Sequence, residues 1–344
     1  MTLLFGLLIL VMLFSLNIYK DKGIDENYLS KDATLAIKGI FIMLVFLSHA
    51  RSYIDFNFIT DTYVIKFLNM VGQLMVTLFL FYSGYGIYES IKRKDMKYVD
   101  SLPINRIGKT FFDFAIAIFF FILLNLFLKN EMSLTNVLLS FTGWSSIGNS
   151  NWYMFAIFTL YILTYISFKL FGKNKFVSIC CVTFLSLVYV YVMSKLKPNV
   201  FSNTYLCYMA GMWYSYFKDS INKLLNKHMI LYYVSLVVLL GAFIYLYPDR
   251  HHRLMYHNAV CIFFSLVVVL MSMKITFNSK ILIWLGKNLF WIYILQRIPM
   301  MLLVHYGVAD FSPLLFILVS FVVTLFMSKY MMVISNKLKS YVFN

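Results

Sequence analysis

Long apolar runs, separated by short polar segments, recur along the whole chain. Most of them hold about 18 or more residues with few charges, which is the length that an α-helix needs to cross a bilayer. The runs are continuous rather than alternating, which excludes the strands of a membrane β-barrel. The pattern predicts an all-α, polytopic membrane helical bundle with about eleven transmembrane helices, at residues 2–19, 35–53, 70–91, 111–128, 152–171, 176–194, 203–217, 230–247, 256–273, 281–304 and 313–335. The seventh is short and contains Gly211, so we expect it to be tilted, broken or re-entrant.

The charge balance is strongly basic, with a net charge of +16 on 344 residues. Such a charge occurs in nucleic-acid-binding proteins, but membrane proteins also collect Lys and Arg in their cytoplasmic loops. With the N-terminus outside and the C-terminus inside, all but eight of the 30 basic residues fall on the cytoplasmic side; the eight are Arg51, Lys66, Lys129, Lys195, Lys197, Arg250, Arg253 and Arg297. We therefore predict a multi-pass protein of a bacterial cytoplasmic membrane in that orientation, surrounded by membrane lipids and without a nucleic-acid partner.

The remaining composition favours neither a disulfide framework nor a metal site. The four cysteines lie in apolar segments without the spacing of metal ligands, so we interpret them as small core residues. His251, His252 and His257 lie close together, but no carboxylate or cysteine cluster accompanies them, so no metal is predicted. We interpret residues 1–30 as a retained helix with a cytoplasmic linker, and residues 31–344 as one membrane domain.

Two ionisable residues share one face of the second predicted span. Lys38 and His49 are eleven residues apart, which brings them within about 20° of one direction and roughly 16 Å apart along a helix. Ionisable groups inside a span are costly, so they indicate function. His49 is either a general base or a hydrogen-bonding partner of a neighbouring helix. Lys38 either steers a phosphate group or extends to the inner surface.

Polar and aromatic positions in other segments add further candidates. The basic residues at 92–97 are interpreted first as a topology signal. Arg106 and Lys109, three residues apart before an apolar helix, either suit phosphate groups of a cytosolic ligand or reflect topology alone. Ser83, with its neighbouring glycines, either permits close helix packing or leaves room for a narrow chain. Trp152, at the start of the fifth predicted span, suits an interfacial aromatic residue. Tyr293 lies in a late apolar run that polar residues interrupt.

The external loop at residues 129–151 also has two interpretations. It contains Trp144 among small and polar residues, which suits either a sugar contact or an aromatic anchor at the membrane interface. The chain contains no Walker, GxSxG or HExxH motif, so those nucleotide-hydrolysing, serine-hydrolase and zinc-protease classes are not indicated.

Four segments, taken together and in order, resemble acyltransferase family 3, whose members are integral membrane enzymes that O-acylate cell-surface glycans and other extracytoplasmic acceptors. The segments are the Lys38 to His49 pattern within KGIFIMLVFLSHA, the aromatic SGY segment at Phe81 to Ile87, the helix entry at Asn151 to Tyr153, and the G-x-x-x-F-x-x-Y pattern at Gly286 to Tyr293. The resemblance spans about residues 31–335 and implies a ten-helix core, to which the first span adds an extra helix.

The resemblance implies roles for the matching positions. His49 would be the catalytic histidine, and Lys38, Ser83, Arg106, Lys109, Trp152 and Tyr293 would contact substrate or acyl-CoA. Lys38 stands where the family usually has arginine, and Arg106 with Lys109 resembles its R-x-x-R motif with one arginine replaced. Gln296 stands where the family commonly has a second histidine, and an amide cannot act as a base.

The implied reaction is O-acyl transfer, most simply of an acetyl group. The donor would be acetyl-CoA, used as a substrate without a bound cofactor, and the acceptor would be a hydroxyl of a cell-surface glycan or a lipid-linked sugar. Two alternatives remain open from the sequence. One is a transporter or flippase of lipid-linked glycans, which would also need many spans and basic inner loops. The other is a family member that binds its ligand without catalysis, which Gln296 suggests.

Overall fold

The computed structural model describes residues 1–54, 59–251 and 253–343 of the chain. Apart from two three-residue strands, its regular elements are helical. The α-helices in chain order are α1 Thr2–Ser15, α2 Lys31–Ala50, α3 Ile59–Val71, α4 Leu74–Lys94, α5 Met96–Leu102, α6 Lys109–Phe127, α7 Leu134–Ser140, α8 Trp152–Phe171, α9 Lys175–Leu196, α10 Cys207–Lys227, α11 Met229–Leu246, α12 Leu254–Ser272, α13 Lys280–Lys287, α14 Leu289–Leu295, α15 Arg297–His305, α16 Val308–Phe311 and α17 Pro313–Val342. Short 3₁₀ turns cover Asn199–Phe201 and Pro248–His251, and a π-helix at Pro103–Gly108 joins α5 to α6.

The predicted class, an all-α polytopic helical bundle, is confirmed. Within the described residues, eight helical segments are long and apolar enough to cross a membrane: α2, α4, the continuous α5–α6 segment, α8, α9, α11, α12 and α17. A ninth span forms if α13 is counted with α14–α15, from which it is bent by 63°. Nine predicted spans therefore have a structural counterpart that meets the requirements for a span, and two do not.

The first exception is α1, which is 14 residues long instead of the predicted 18. At ~1.5 Å per residue it covers about 21 Å, less than the ~30 Å hydrocarbon core. The chain leaves the helix at Leu16–Ile18 to form β1, which pairs antiparallel with β2 at Ile275–Phe277. At its other end, the Met1 ammonium group lies 3.2 Å from the Asp61 carboxylate at the start of α3.

The second exception is α10, predicted at residues 203–217 as a tilted, broken or re-entrant segment. It is one continuous helix of 21 residues, and its second half carries several charges, which is why it is too polar for a span by composition. Gly211 does not break the helix. A Cβ at Gly211 would collide with the Phe81 backbone of α4, and a Cβ at Gly84 would collide with the Tyr208 backbone of α10. The two glycines therefore let α4 and α10 pack backbone to backbone.

A second pair of glycines packs α13 against α2. A Cβ at Gly39 would collide with the Leu282 backbone, and a Cβ at Gly286 would collide with the Leu35 backbone. Helix α2 is capped by Ser30, which precedes it and whose side-chain oxygen accepts a 3.3 Å hydrogen bond from the Ala33 amide. It then runs without interruption through the middle of the bundle, and most of its residues from Ala36 to Ala50 are buried. The helix that carries both predicted ionisable residues is therefore held from several sides.

The long loop before α8 is packed rather than extended. The Lys197 ammonium lies 3.9 Å from the centre of the Trp144 ring and donates a 2.9 Å hydrogen bond to the Trp144 carbonyl. The Asn125 side-chain amide donates to the Ile147 carbonyl at 2.7 Å. Trp144 is therefore held by protein contacts, and the loop's last residues turn inward, with Asn149 and Ser150 buried.

Candidate active site

A basic cavity of about 370 Å³ opens between α2, α4, α8, the π-helix and the bend between α13 and α14. Three cations line it: Lys38, Arg106 and Lys287. No carboxylate lies within ion-pair distance of any of the three in the part of the chain that the structure describes. Unpaired cations around one cavity favour an anionic ligand, and phosphate groups suit Lys and Arg.

The inner wall of the basic cavity comes from α2 and α4. The Lys38 ammonium lies 5.4 Å from the centre of the Tyr82 ring, within the range of a cation–π contact. The Tyr82 hydroxyl is buried and has no hydrogen-bond partner among the described residues. The Ser83 hydroxyl is 3.0 Å from the Tyr161 hydroxyl of α8. Tyr82, Ser83 and Tyr161 all line the cavity, so it presents hydroxyl groups beside its cations.

The glycines next to Ser83 have different roles. Gly84 faces α10 and serves the close packing described above. Gly86 lines the basic cavity, and no atom lies within 4 Å of the position that a Cβ would occupy there. Close helix packing therefore applies to Gly84, and space for a narrow chain applies to Gly86.

The π-helix places Arg106 and separates it from Lys109. Arg106 lies in Pro103–Gly108, where its Nε donates a 3.0 Å hydrogen bond to the Tyr98 hydroxyl. Lys109 begins α6 and does not line the cavity. The sequence prediction assumed α-helical geometry, in which residues three apart share a face; a π-turn is wider, so that relation is lost.

A second cavity, of about 450 Å³, adjoins the first. Lys38, Tyr82 and Gly86 line both cavities, and the second adds Lys31 and Arg93. Its one carboxylate, Glu89, is 2.5 Å from the Lys92 ammonium and accepts a 2.7 Å hydrogen bond from Ser215. That negative charge is already compensated, so the two cavities together form a basic surface about Lys38.

Aromatic side chains connect the basic cavity to His49. Tyr153, the second residue of α8, lines the cavity, and its ring centre is 5.4 Å from that of Tyr293 on α14. The Tyr293 ring centre is in turn 6.2 Å from that of His49. Trp152 does not line the cavity but packs edge-on against Tyr153 at 6.0 Å. The cation and the base on α2 are therefore linked through side chains of two other helices.

Several buried polar atoms around His49 lack partners in the described structure. They include His49 Nδ1, the Ser150 hydroxyl, the side-chain amide oxygen of Gln296 and Arg297 Nε. Ser150 lies beside the Tyr293 hydroxyl, and the Arg297 guanidinium is close enough to His49 and Tyr293 to interact with both electrostatically. Unsatisfied buried polar groups are costly. The region therefore suits a ligand with its own hydrogen-bonding groups.

The comparison with protein families decides the membership of this chain. The family model described as an acyltransferase domain, Acyl_transf_3, matches residues 35–332. The chain belongs to acyltransferase family 3. No curated protein and no solved structure matches it significantly. The match begins within α2 and ends within α17, so α1 and β1 precede the matched region.

The predicted site residues of this acyltransferase fall into three groups. Lys38, Ser83 and Arg106 line the basic cavity. Tyr293 and His49 do not line the basic cavity but are connected to it through Tyr153, and Trp152 packs against the Tyr153 ring. Lys109 lies outside both cavities. Gln296 is fully buried and donates a 2.9 Å hydrogen bond to the Tyr293 carbonyl, so it holds the local turn of the bent helix.

Sequence reasoning missed Tyr153, Lys287 and Ser150 as members of the acyltransferase site. The first two lie inside the NWY and GKNLFWIY segments, but nothing in those segments says which residue faces inward. Ser150 lies in a loop without periodicity. His252 is outside the described residues. In the described part of the chain, no three His, Cys, Asp or Glu side chains are arranged to hold a metal ion.

Proposed function

We propose that this acyltransferase moves an acetyl group from acetyl-CoA to a hydroxyl group of a cell-surface glycan or lipid-linked sugar. One observation carries the proposal: a single cavity is lined by three cations that form no ion pair within the described residues, and it is linked to His49 through Tyr153 and Tyr293. This arrangement suits a long donor whose phosphates stay at one end while its acyl group reaches the other. The membrane would be the bacterial cytoplasmic membrane, with the basic cavities facing the cytoplasm.

The donor's phosphate groups would bind in the two basic cavities. Arg106 and Lys287 would contact the phosphates from one side, and Lys38, which lines both cavities, from the other. The pantetheine arm would pass Gly86, where no atom occupies the space beside the helix. Along α2, Lys38 and His49 are separated by about 16 Å, roughly half of the ~30 Å hydrocarbon core. An extended arm spans this distance, so CoA itself would not cross the membrane.

His49 would act as the general base. It takes the proton of the acceptor hydroxyl as the oxygen attacks the thioester carbonyl carbon, so that a C–O bond forms. The C–S bond then breaks, and the CoA thiolate leaves and receives the proton from the imidazolium. The products are an acetyl ester and CoA with a free thiol. Tyr293, whose ring lies 6.2 Å from that of His49, and the nearby Arg297 would stabilise the negative charge on the carbonyl oxygen.

The acceptor would bind at the His49 end of the bundle. The Ser150 hydroxyl and Arg297 Nε, both buried without partners among the described residues, would form hydrogen bonds with sugar hydroxyls. Gln296, which replaces a histidine common in the family, would position Tyr293 instead of moving a proton. Position 296 would therefore supply no second imidazole beside His49.

The test is acetyl transfer in membranes that contain the full chain and receive labelled acetyl-CoA. We expect His49→Ala to abolish incorporation of label into the glycan fraction. His305→Ala is the matched control, because His305 is an exposed histidine at the end of α15 and should leave transfer unchanged. Undiminished transfer by His49→Ala would refute the assigned base. Glycan export without any incorporation of label in the wild type would favour a transporter.

A further inference from the structure

An apolar cleft of about 540 Å³ lies on the opposite side of α2 from the basic cavity. It is enclosed by α1, α2, α3, the end of α11, α12 and β2, and nearly all of its lining is hydrocarbon or aromatic. On α2 it is lined by Ile37, Ile40, Phe41 and Leu44. At ~100° per residue these positions point roughly 80–180° away from the direction of His49, with a mean of about 130°. The apolar cleft is therefore separate from the candidate active site.

The apolar cleft opens sideways toward the hydrocarbon region. Ile9 of α1, Met70 of α3 and Met271 of α12 line it and are nevertheless 40%, 53% and 44% exposed. These three residues mark the edge of the opening. In a membrane-spanning bundle this surface faces lipid, so a ligand enters from the bilayer and not from water.

The chemistry of the lining determines what fills the cleft. Water needs polar partners, and an apolar lining offers it few. A cleft of this size left empty would forfeit van der Waals contacts along its whole wall. A flexible hydrocarbon chain supplies those contacts, and the bilayer beside the opening consists of such chains.

Two arginines lie at the end of the apolar cleft where α2 ends. Arg250 stacks on the ring of Tyr247 at 3.7 Å and donates a 2.8 Å hydrogen bond to its carbonyl, while the Tyr247 hydroxyl donates to the Met70 carbonyl. Arg51 donates to the side chain of Asn69, which precedes Met70. Neither arginine forms an ion pair with a described carboxylate. Both guanidinium groups are thus anchored beside Asn69 and Met70, and within the described residues no carboxylate compensates their charges.

We propose that the apolar cleft binds one acyl chain of an anionic membrane phospholipid, whose phosphate lies between Arg51 and Arg250. A phospholipid is the bilayer component that joins a linear hydrocarbon chain to a phosphate, which matches an apolar cleft with two cations at one end. The bound lipid fills the space between α1 and the helix that carries Lys38 and His49. It holds α1, which precedes the matched acyltransferase region, against the rest of the bundle. This binding does not depend on acetyl transfer.

The test is native mass spectrometry of the full chain, purified from membranes in mild detergent, with identification of the retained lipid. We expect the wild type to retain one anionic phospholipid. Ile9→Trp and Met271→Trp place an indole in the opening and should lose most of it. Val237→Trp is the matched control, because Val237 is 69% exposed on α11 and outside the cleft, and it should retain the lipid.

The headgroup is tested separately in nanodiscs that contain equal amounts of phosphatidylglycerol and phosphatidylcholine. The wild type should retain phosphatidylglycerol preferentially, and the double variant Arg51→Gln with Arg250→Gln should lose that preference. A wild type that retains no lipid, only detergent, or a polyprenyl phosphate would overturn the proposal. So would equal retention of lipid by the two opening variants and the control, or an unchanged preference in the arginine variant.

Discussion

Two glycines two residues apart on α4 provide the sharpest test of the described packing and of the donor site together. Gly84 faces the α10 backbone, where an added Cβ would lie 2.9 Å from the Tyr208 carbonyl carbon and 3.2 Å from its Cα. Gly86 has no atom within 4 Å of such a Cβ and lines both basic cavities. The same substitution to alanine should therefore have opposite effects on stability at the two positions.

The magnitudes follow from known costs of overpacking and from helix propensity. At Gly84 the obstacle is backbone, which cannot rotate away, so α4 and α10 must separate at a cost of about 1–3 kcal/mol. At Gly86 the methyl group meets open space, and alanine stabilises the helix by roughly 0.5–1 kcal/mol relative to glycine. Because the gain in helix propensity applies at both positions, the two variants should differ in unfolding free energy by the overpacking cost alone, roughly 1–3 kcal/mol.

The assay combines thermal unfolding of the purified protein in detergent with the KM for acetyl-CoA. Gly84→Ala should melt below the wild type. Gly86→Ala should melt at or above it but raise the KM, and Gly86→Leu, whose side chain fills the cavity, should abolish donor binding. Gly241→Ala is the control for propensity, because its Cβ also meets open space on α11 but lines neither basic cavity.

Two results would refute this reasoning. If Gly84→Ala melts at or above the wild type, the close approach of α4 and α10 is wrong. If Gly86→Leu leaves the KM for acetyl-CoA unchanged, the donor does not bind in the basic cavities, whatever the effect on stability.

Two further predictions concern charged groups. Lys38→Gln should raise the KM for acetyl-CoA roughly 10–100-fold, since a hydrogen bond to a charged group contributes about 1.5–3 kcal/mol. Lys38→Arg should restore the KM, and Lys66→Gln, at an exposed position, should leave it unchanged. An unchanged KM in Lys38→Gln would contradict the donor site. At Asp61, burial raises the pKa of the carboxyl, but hydrogen bonds from Thr2 and the Met1 ammonium outweigh burial and hold its pKa below the usual 3.8. The stability that this carboxylate contributes is therefore present at neutral pH and lost as the pH falls below about 3.8. The melting temperature of the wild type should fall in this acidic range, and Asp61→Asn should remove the part of the fall that comes from Asp61.

The sequence was sufficient for the class of fold and for the family, because both depend on local patterns. A run of apolar residues must be helical in a bilayer whatever its neighbours are, since its backbone groups have no other partners there. The eleven-residue separation of Lys38 and His49 likewise depends only on the geometry of one helix. The structure adds that Ser83 and Arg106, from other helices, line the same cavity as Lys38.

The sequence was insufficient where the outcome depends on contacts between helices or on unusual helical geometry. Hydropathy could not show that α1 ends at Ser15. The residues that follow, Leu16–Ile18, form a strand that pairs with Ile275–Phe277, far away in the chain. The spacing of Arg106 and Lys109 is misleading because Arg106 lies in a π-helix, whose turns are wider than those of the α-helix that Lys109 begins.

What the sequence by itself determined is most of the membrane-spanning helices and the chemistry that each carries: a cation and a base on α2, small residues on α4, aromatic residues at the start of α8 and in the late bent segment. What only the tertiary structure decided is which of these side chains meet. Gly84 packs while Gly86 leaves space, and Tyr153, not Trp152, faces the basic cavity. The physical reason is that helical periodicity sets the directions of side chains around a single helix axis. Contacts between two helices depend instead on how closely their backbones approach, and here pairs of glycines far apart in the chain permit the close approach.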